Sequence, residues 1–89
     1  MTNVWFVYIV ECSDKTYYTG ITTNVVRRVK QHSSGKGAKY TRARCPVKLL
    51  YYFQVESRSK ALKEELIIKK LKRSAKIDYF KKNLGKNHG

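Results

Sequence analysis

Two runs of apolar, β-branched and aromatic residues constrain this chain more than any other feature: Val4 to Glu11 (VWFVYIVE) and Val47 to Val55 (VKLLYYFQV). Each is too short for a stable helix and lacks helical spacing of polar residues, so each reads as a strand. At 89 residues there is room for one small core, which both strands must share. Ser13-Asp14-Lys15 supplies turn chemistry, and Thr16 to Ile21 (TYYTGI) returns as another strand. So short a connection makes an antiparallel hairpin. Closed symmetrically about Ser13, it sets Tyr8 opposite Tyr18 with both rings on one face. Val47 to Val55, the most apolar run, is expected to be the third and central strand.

Asn24 is a good helix N-cap, and Val25 to about Ser34 follows as a short helix. At about 100° per residue its apolar stripe is Val25, Val26 and Val29. Arg28 and His32, four apart, fall on the flank of that stripe, and Arg27 falls roughly opposite it. Ser33 to Pro46 reads as a loop. Ser57 or Ser59 then caps a long helix over Lys60 to about Lys72. Its positions Ala61, Leu62, Leu66, Ile67, Ile68 and Leu71 cover most of the circumference, leaving Lys63 and Lys70 to water. Glu65 is expected near the middle of the apolar arc and Glu64 farther off it. A carboxylate on a buried face is costly unless it is paired or holds a cation. Ser74 to Leu84 forms a last amphipathic helix through Ile77, Phe80 and Leu84. The domain is expected to span residues 1–84, with residues 85–89 a disordered tail.

The charge balance sets the partner class. Lys and Arg total 20 against 6 acids, a formal net charge of +14. That exceeds what solubility needs and is the footprint of a protein that meets a polyanion. No apolar run approaches the roughly 20 residues of a spanning helix, and no leader pattern precedes a cleavage site. Nucleic acid is therefore the expected partner, with no membrane. Two cysteines, Cys12 and Cys45, lie at no metal-type spacing and read as reduced thiols of a cytoplasmic protein.

The densest chemistry lies in Tyr17 to His32 (YYTGITTNVVRRVKQH). A tyrosine pair, a glycine at a strand end, a helix cap, two arginines and a histidine fall within one strand-to-helix unit. Gly20 leaves room for another backbone or a phosphate to approach. Downstream, SSGKGAKYTRARCP carries Lys36, Lys39, Arg42 and Arg44 with Tyr40, a natural backbone-contact segment for nucleic acid. Lys69 adds a basic group on the long helix. Each candidate also has a plain structural reading. Tyr18 is then a sheet aromatic, Arg28 a generic phosphate contact, Glu65 the helical partner of Lys69, and His32 a surface residue.

Taken in order, VYI around Tyr8, YTG at Tyr18 to Gly20, the N-x-x-x-R spacing from Asn24 to Arg28 and a helical Glu65 resemble the GIY-YIG endonuclease superfamily. GKGAKYTR (Gly35 to Arg42), Pro46 ahead of a strand, and A-x-x-x-E-x-x-I-K from Ala61 to Lys69 resemble its small single-domain bacterial members, the YhbQ-like group. The likeness runs from about Trp5 to Lys76. It implies an α+β fold with a three-stranded antiparallel sheet flanked by helices, in the order β-β-α-β-α-α, as the residues themselves suggest. It further implies metal-dependent hydrolysis of a phosphodiester, with one Mg²⁺ or Mn²⁺ held by Glu65. Arg28 would stabilise the phosphate, Tyr18 would be the general base, and Tyr8 would support or share that role. His32 matches a position where the superfamily places a tyrosine or histidine in the site. The first motif reads Phe6-Val7-Tyr8 here, keeping its tyrosine without its glycine. Ile21 stands where some members carry a lysine.

An arginine fork matches the equatorial oxygens of an in-line transition state, and a divalent ion the leaving oxygen. At neutral pH an unperturbed histidine, with a pKa near 6.5, is a more natural proton acceptor than a tyrosine near 10. The expected function is a DNA endonuclease of low intrinsic sequence specificity, acting in repair or recombination, with any specificity supplied by a protein partner. A non-catalytic module binding DNA or structured RNA is the alternative, and a ribosome-associated protein a third. DNA is favoured over RNA.

Overall fold

The computed structural model describes residues 4–86. Its elements are β1 (Trp5–Glu11), β2 (Tyr17–Thr22), α1 (Val25–Ser33), α2 (Lys39–Arg42), β3 (Lys48–Val55), α3 (Arg58–Lys69) and α4 (Arg73–Lys86). The order β-β-α-β-α-α is as expected once the four-residue α2 is set aside. That helix lies inside the segment expected to be loop. The last helix runs past Leu84, and residues 87–89 of the expected tail lie outside the described residues.

The sheet is antiparallel in the order β2-β1-β3. The expectation of a central β3 is therefore corrected: β1 is central. Its Val7, Tyr8, Ile9 and Val10 are all buried, whereas β3 leaves Tyr52 and Gln54 exposed. Only a strand paired on both edges and covered on both faces needs uninterrupted apolar sequence.

The hairpin register is also corrected. Tyr8 pairs with Gly20, and Tyr18 pairs with Val10. The Asp14 side chain accepts from both the backbone N–H (3.1 Å) and the hydroxyl (2.6 Å) of Thr16, closing the turn around Asp14 rather than Ser13. A two-residue displacement preserves side-chain facing, so Tyr8 and Tyr18 still share a face, diagonally rather than directly opposed.

On one face, Val7, Ile9 and Phe53 pack against Ala61 and Ile68 of α3 and Phe80 of α4. On the other, Tyr8, Val10, Cys12 and Val47 are joined by Tyr18, Val29 and Leu49. The Asn24 side chain caps α1 by accepting from Arg27 N–H at 3.0 Å, and Ser57 rather than Ser59 caps α3, accepting from Lys60 N–H at 3.1 Å. At the other end of α3, the Lys76 ammonium donates to the carbonyls of Ile68 (3.0 Å) and Lys69 (3.4 Å).

Two helix faces differ from expectation. Val26 is exposed, and the inward stripe of α1 is buried Val25 and His32 with partly buried Val29 between them, spaced four and three apart. On α3, Leu66 and Ile67 are exposed, so the apolar arc is narrower than its composition suggests. Glu64, not Glu65, faces inward, where its carboxylate accepts a hydrogen bond from the Tyr79 hydroxyl of α4.

Candidate active site

Tyr8 rises from the middle of β1 toward α1, and its hydroxyl meets His32 Nε2 at 2.7 Å. The other ring nitrogen, Nδ1, meets the Thr41 hydroxyl at 2.7 Å. Thr41 in turn donates to the Ala38 carbonyl at 2.9 Å. All three side chains are buried, His32 and Thr41 with no exposed surface at all. Burial, with the nearby Arg28 charge adding to it, lowers the His32 pKa from 6.5 to about 4, so the ring is neutral at physiological pH. Burial also raises Tyr8 to about 12, against the opposing effect of the nearby Arg28 guanidinium. Arg28 is half-buried, and Gln31 accepts from its Nη1 at 2.9 Å.

Two glycines make this arrangement possible. A Cβ on Gly20 would fall 2.6 Å from Tyr8 Cζ, so the space beside Gly20 is filled by the Tyr8 ring. The expectation that Gly20 receives nucleic acid is corrected accordingly. A Cβ on Gly37 would overlap the His32 ring, lying 2.8 Å from its Cγ. The chain thus crosses both rings at backbone distance.

Tyr18 is half-buried and lies at the open side of this buried set. Its ring sits 5.2 Å from that of His32 and stacks on Tyr40 at 5.9 Å, while Lys69 Nζ lies 5.8 Å from its centroid. Lys69, and not residue 21, is the cation beside Tyr18. Lys69 also pairs with Glu65 at 3.3 Å, as their i,i+4 spacing on α3 allows. The Glu65 side chain keeps 16% exposure, and its charge is close enough to act on Tyr8. Tyr8, Tyr18, Arg28, His32 and Glu65 therefore gather at one place from β1, β2, α1 and α3.

The basic candidates separate into two groups. Arg27, Lys36, Lys39, Tyr40, Arg42 and Lys69 are exposed. Arg44 is not free: it pairs with Asp14 at 3.0 Å, donates to the Tyr40 carbonyl at 2.8 Å, and lies 4.0 Å over the Tyr40 ring. It ties the hairpin turn to α2 while its side chain stays 36% exposed. The sequence reading missed Thr41 and Gly37. The available signal was a threonine and a second glycine within an otherwise basic run.

The donor set suits only one kind of metal site. Among the described residues no three His, Cys, Asp or Glu side chains cluster to hold an ion. A single half-buried carboxylate, Glu65, fits a hard cation that keeps its waters and takes further oxygens from a phosphate. It does not fit a closed protein cage.

The fold is that of a known class. Residues 4–83 match the family described as the GIY-YIG catalytic domain, and the chain belongs to that nuclease family. Within it, the chain is similar to several UPF0213 proteins. One from Streptococcus agalactiae is 51% identical over 78 residues, covering 88% of this chain and 89% of its own. Another, from Halobacterium salinarum, is 54% identical over 74 residues, covering 83% and 96%. Among solved structures, the solution structure of the UPF0213 protein of Bacillus halodurans aligns with a TM-score of 0.54 at 46% identity, over 85% of this chain and 81% of that one. A solution structure from E. faecalis aligns with a TM-score of 0.62 at 42% identity, over 92% and 90%. Nucleic acid is accordingly the partner class, and among the described residues no helix is long and apolar enough to cross a membrane.

Proposed function

We propose that this protein is a divalent-metal-dependent endonuclease that nicks DNA with little sequence preference of its own. The observation that carries the reading is the meeting of Tyr8, Tyr18, Arg28 and Glu65 from four elements beside the exposed basic segment Lys36 to Arg42. Mg²⁺ or Mn²⁺, held by Glu65, would polarise the scissile phosphate and neutralise charge on the leaving oxygen. Arg28, steadied by Gln31, presents its guanidinium to the equatorial oxygens of that phosphate.

Tyr18 is the half-open hydroxyl of the set: it releases its own proton to solvent, and the phenolate oxygen then takes the proton of the attacking water. Lys69 lies over the face of that ring, 5.8 Å from its centroid. His32 does not take the water's proton itself, because both ring nitrogens are engaged and the ring is sealed from solvent. It holds Tyr8. Arg27, Lys36, Lys39 and Arg42 track the phosphate backbone, and Tyr40, stacked on Tyr18, offers a face for a base at the mouth of the site.

The test is a panel of labelled duplex, single-stranded and branched DNA incubated with Mg²⁺ or Mn²⁺. Wild-type protein gives product, while Arg28→Ala and Glu65→Gln give none and keep the wild-type circular dichroism. Cleavage surviving in both variants would place the chemistry elsewhere. One observation favours a second reading, a module that binds without cutting: the Glu65–Lys69 pair engages the single candidate metal ligand. That reading requires salt-steep binding with no product under either cation.

A further inference from the structure

Thr41 lies outside the set that touches the phosphate, yet its position governs the hydrogens of the whole buried chain. A threonine hydroxyl has one hydrogen, and Thr41 gives it to the Ala38 carbonyl at 2.9 Å. With that hydrogen so used, Thr41 accepts in its 2.7 Å contact with His32 Nδ1, an assignment that puts the ring hydrogen on Nδ1. Nε2 is left as an acceptor, so the 2.7 Å contact with Tyr8 is a bond donated by the phenol. The Tyr8 oxygen then has only lone pairs left to offer, and its cationic neighbour Arg28 has only donors. The backbone N–H of Ala38 also points at Nδ1, but at 3.4 Å, and it would favour the opposite tautomer.

We propose that Thr41 is a positioning residue of the phosphodiester-cleaving site: it fixes the Nδ1–H tautomer of His32 and so aims Tyr8 and Arg28. This inference rests on the nuclease reading for its catalytic consequence, but not for the tautomer. Without the Thr41 oxygen, Ala38 N–H becomes the remaining partner of Nδ1, and the ring hydrogen moves to Nε2. Nε2–H then donates to the Tyr8 oxygen, and the phenol hydrogen must swing outward. There it meets the Arg28 guanidinium, donor against donor, and the arginine is displaced from its aim. Lys39, Tyr40 and Arg42 stand on the exposed side of the same short helix, so the segment that meets the DNA also carries the residue that sets the relay.

The experiment reads the tautomer directly, by ¹⁵N NMR of the histidine ring in the full chain, with His32 assigned by its loss in His32→Gln. Wild-type protein and Thr41→Ser show a protonated Nδ1 and a bare Nε2. Thr41→Val shows the reverse, or a mixture, and its kcat for nicking falls on the order of tenfold to a hundredfold with KM little changed, as expected for a misaimed group. Thr41→Ser restores the rate. A wild-type ring protonated on Nε2 overturns the proposal, as does Thr41→Val with unchanged tautomer or unchanged kcat. If Thr41→Val does not fold, the wild-type and Thr41→Ser spectra still decide the tautomer. If no variant and no wild-type preparation cleaves DNA, the nuclease reading fails while the tautomer result stands on its own.

Discussion

Burying His32 neutral makes the fold acid-labile in a window that can be stated in advance. Its folded pKa is about 4, against 6.5 in the unfolded chain. Between those values the unfolded state binds a proton that the folded state refuses, so stability is complete above 6.5 and is lost as pH falls toward 4. Moving from about pH 7.5 to about pH 5 costs roughly 2 kcal/mol at 1.36 kcal/mol per pKa unit. For a domain of this size that lowers the thermal midpoint by roughly 8–16 °C. Asp14, held below its usual range first by the Thr16 hydroxyl and then by Arg44, loses its contribution only below its unfolded value, so the two effects separate on the pH axis. The assay is thermal or urea unfolding across that range, comparing wild-type protein with His32→Gln. The variant is less stable throughout, because it loses the Tyr8 and Thr41 hydrogen bonds, but its stability is flat between about pH 7.5 and 5. A wild-type midpoint that does not move, or a variant that falls in parallel with it, would refute the assignment of the window to His32.

Other consequences can be checked on the same preparations. Gly20→Ala drives a methyl into the Tyr8 ring, and urea unfolding should show a loss of about 1–3 kcal/mol. An unchanged midpoint would mean the ring moves aside freely. Tyr79→Phe removes the donor to Glu64, lowering stability by about 1–3 kcal/mol while nicking proceeds at the wild-type rate. A Tyr79→Phe protein of full stability but reduced cleavage would join that helix pair to the site.

Much of the fold was legible because strand runs announce themselves locally. VWFVYIVE and KLLYYFQV could hardly be anything else, and Asn24 and Ser57 marked helix starts by their chemistry. Neighbour relations were less legible. β3 is as rich in apolar residues as β1, yet Tyr52 is 46% exposed, because what sits beside or above a strand is decided by distant segments. Glu64 and Glu65 differ by a single 100° step, and only the placement of α4, with Tyr79, shows which of them turns inward. His32 looked like a flank residue since burying a histidine requires partners for both nitrogens. Those partners come from β1 and α2, and no periodicity on α1 records them.

The central place of β1 has a kinetic corollary. The β1–β2 hairpin is local and closes on a microsecond scale, but β1 gains its second neighbour only when β3, several dozen residues downstream, folds back against it. During synthesis, then, Tyr8 can stand over Gly20 before Val47 and Phe53 have left the ribosome, while the sheet around it is still half built. The DNA-facing chemistry would mature later still, once β3 has docked and α3 has brought Glu65 to the set, so slowing β3 docking should delay the onset of activity more than it delays the appearance of the hairpin.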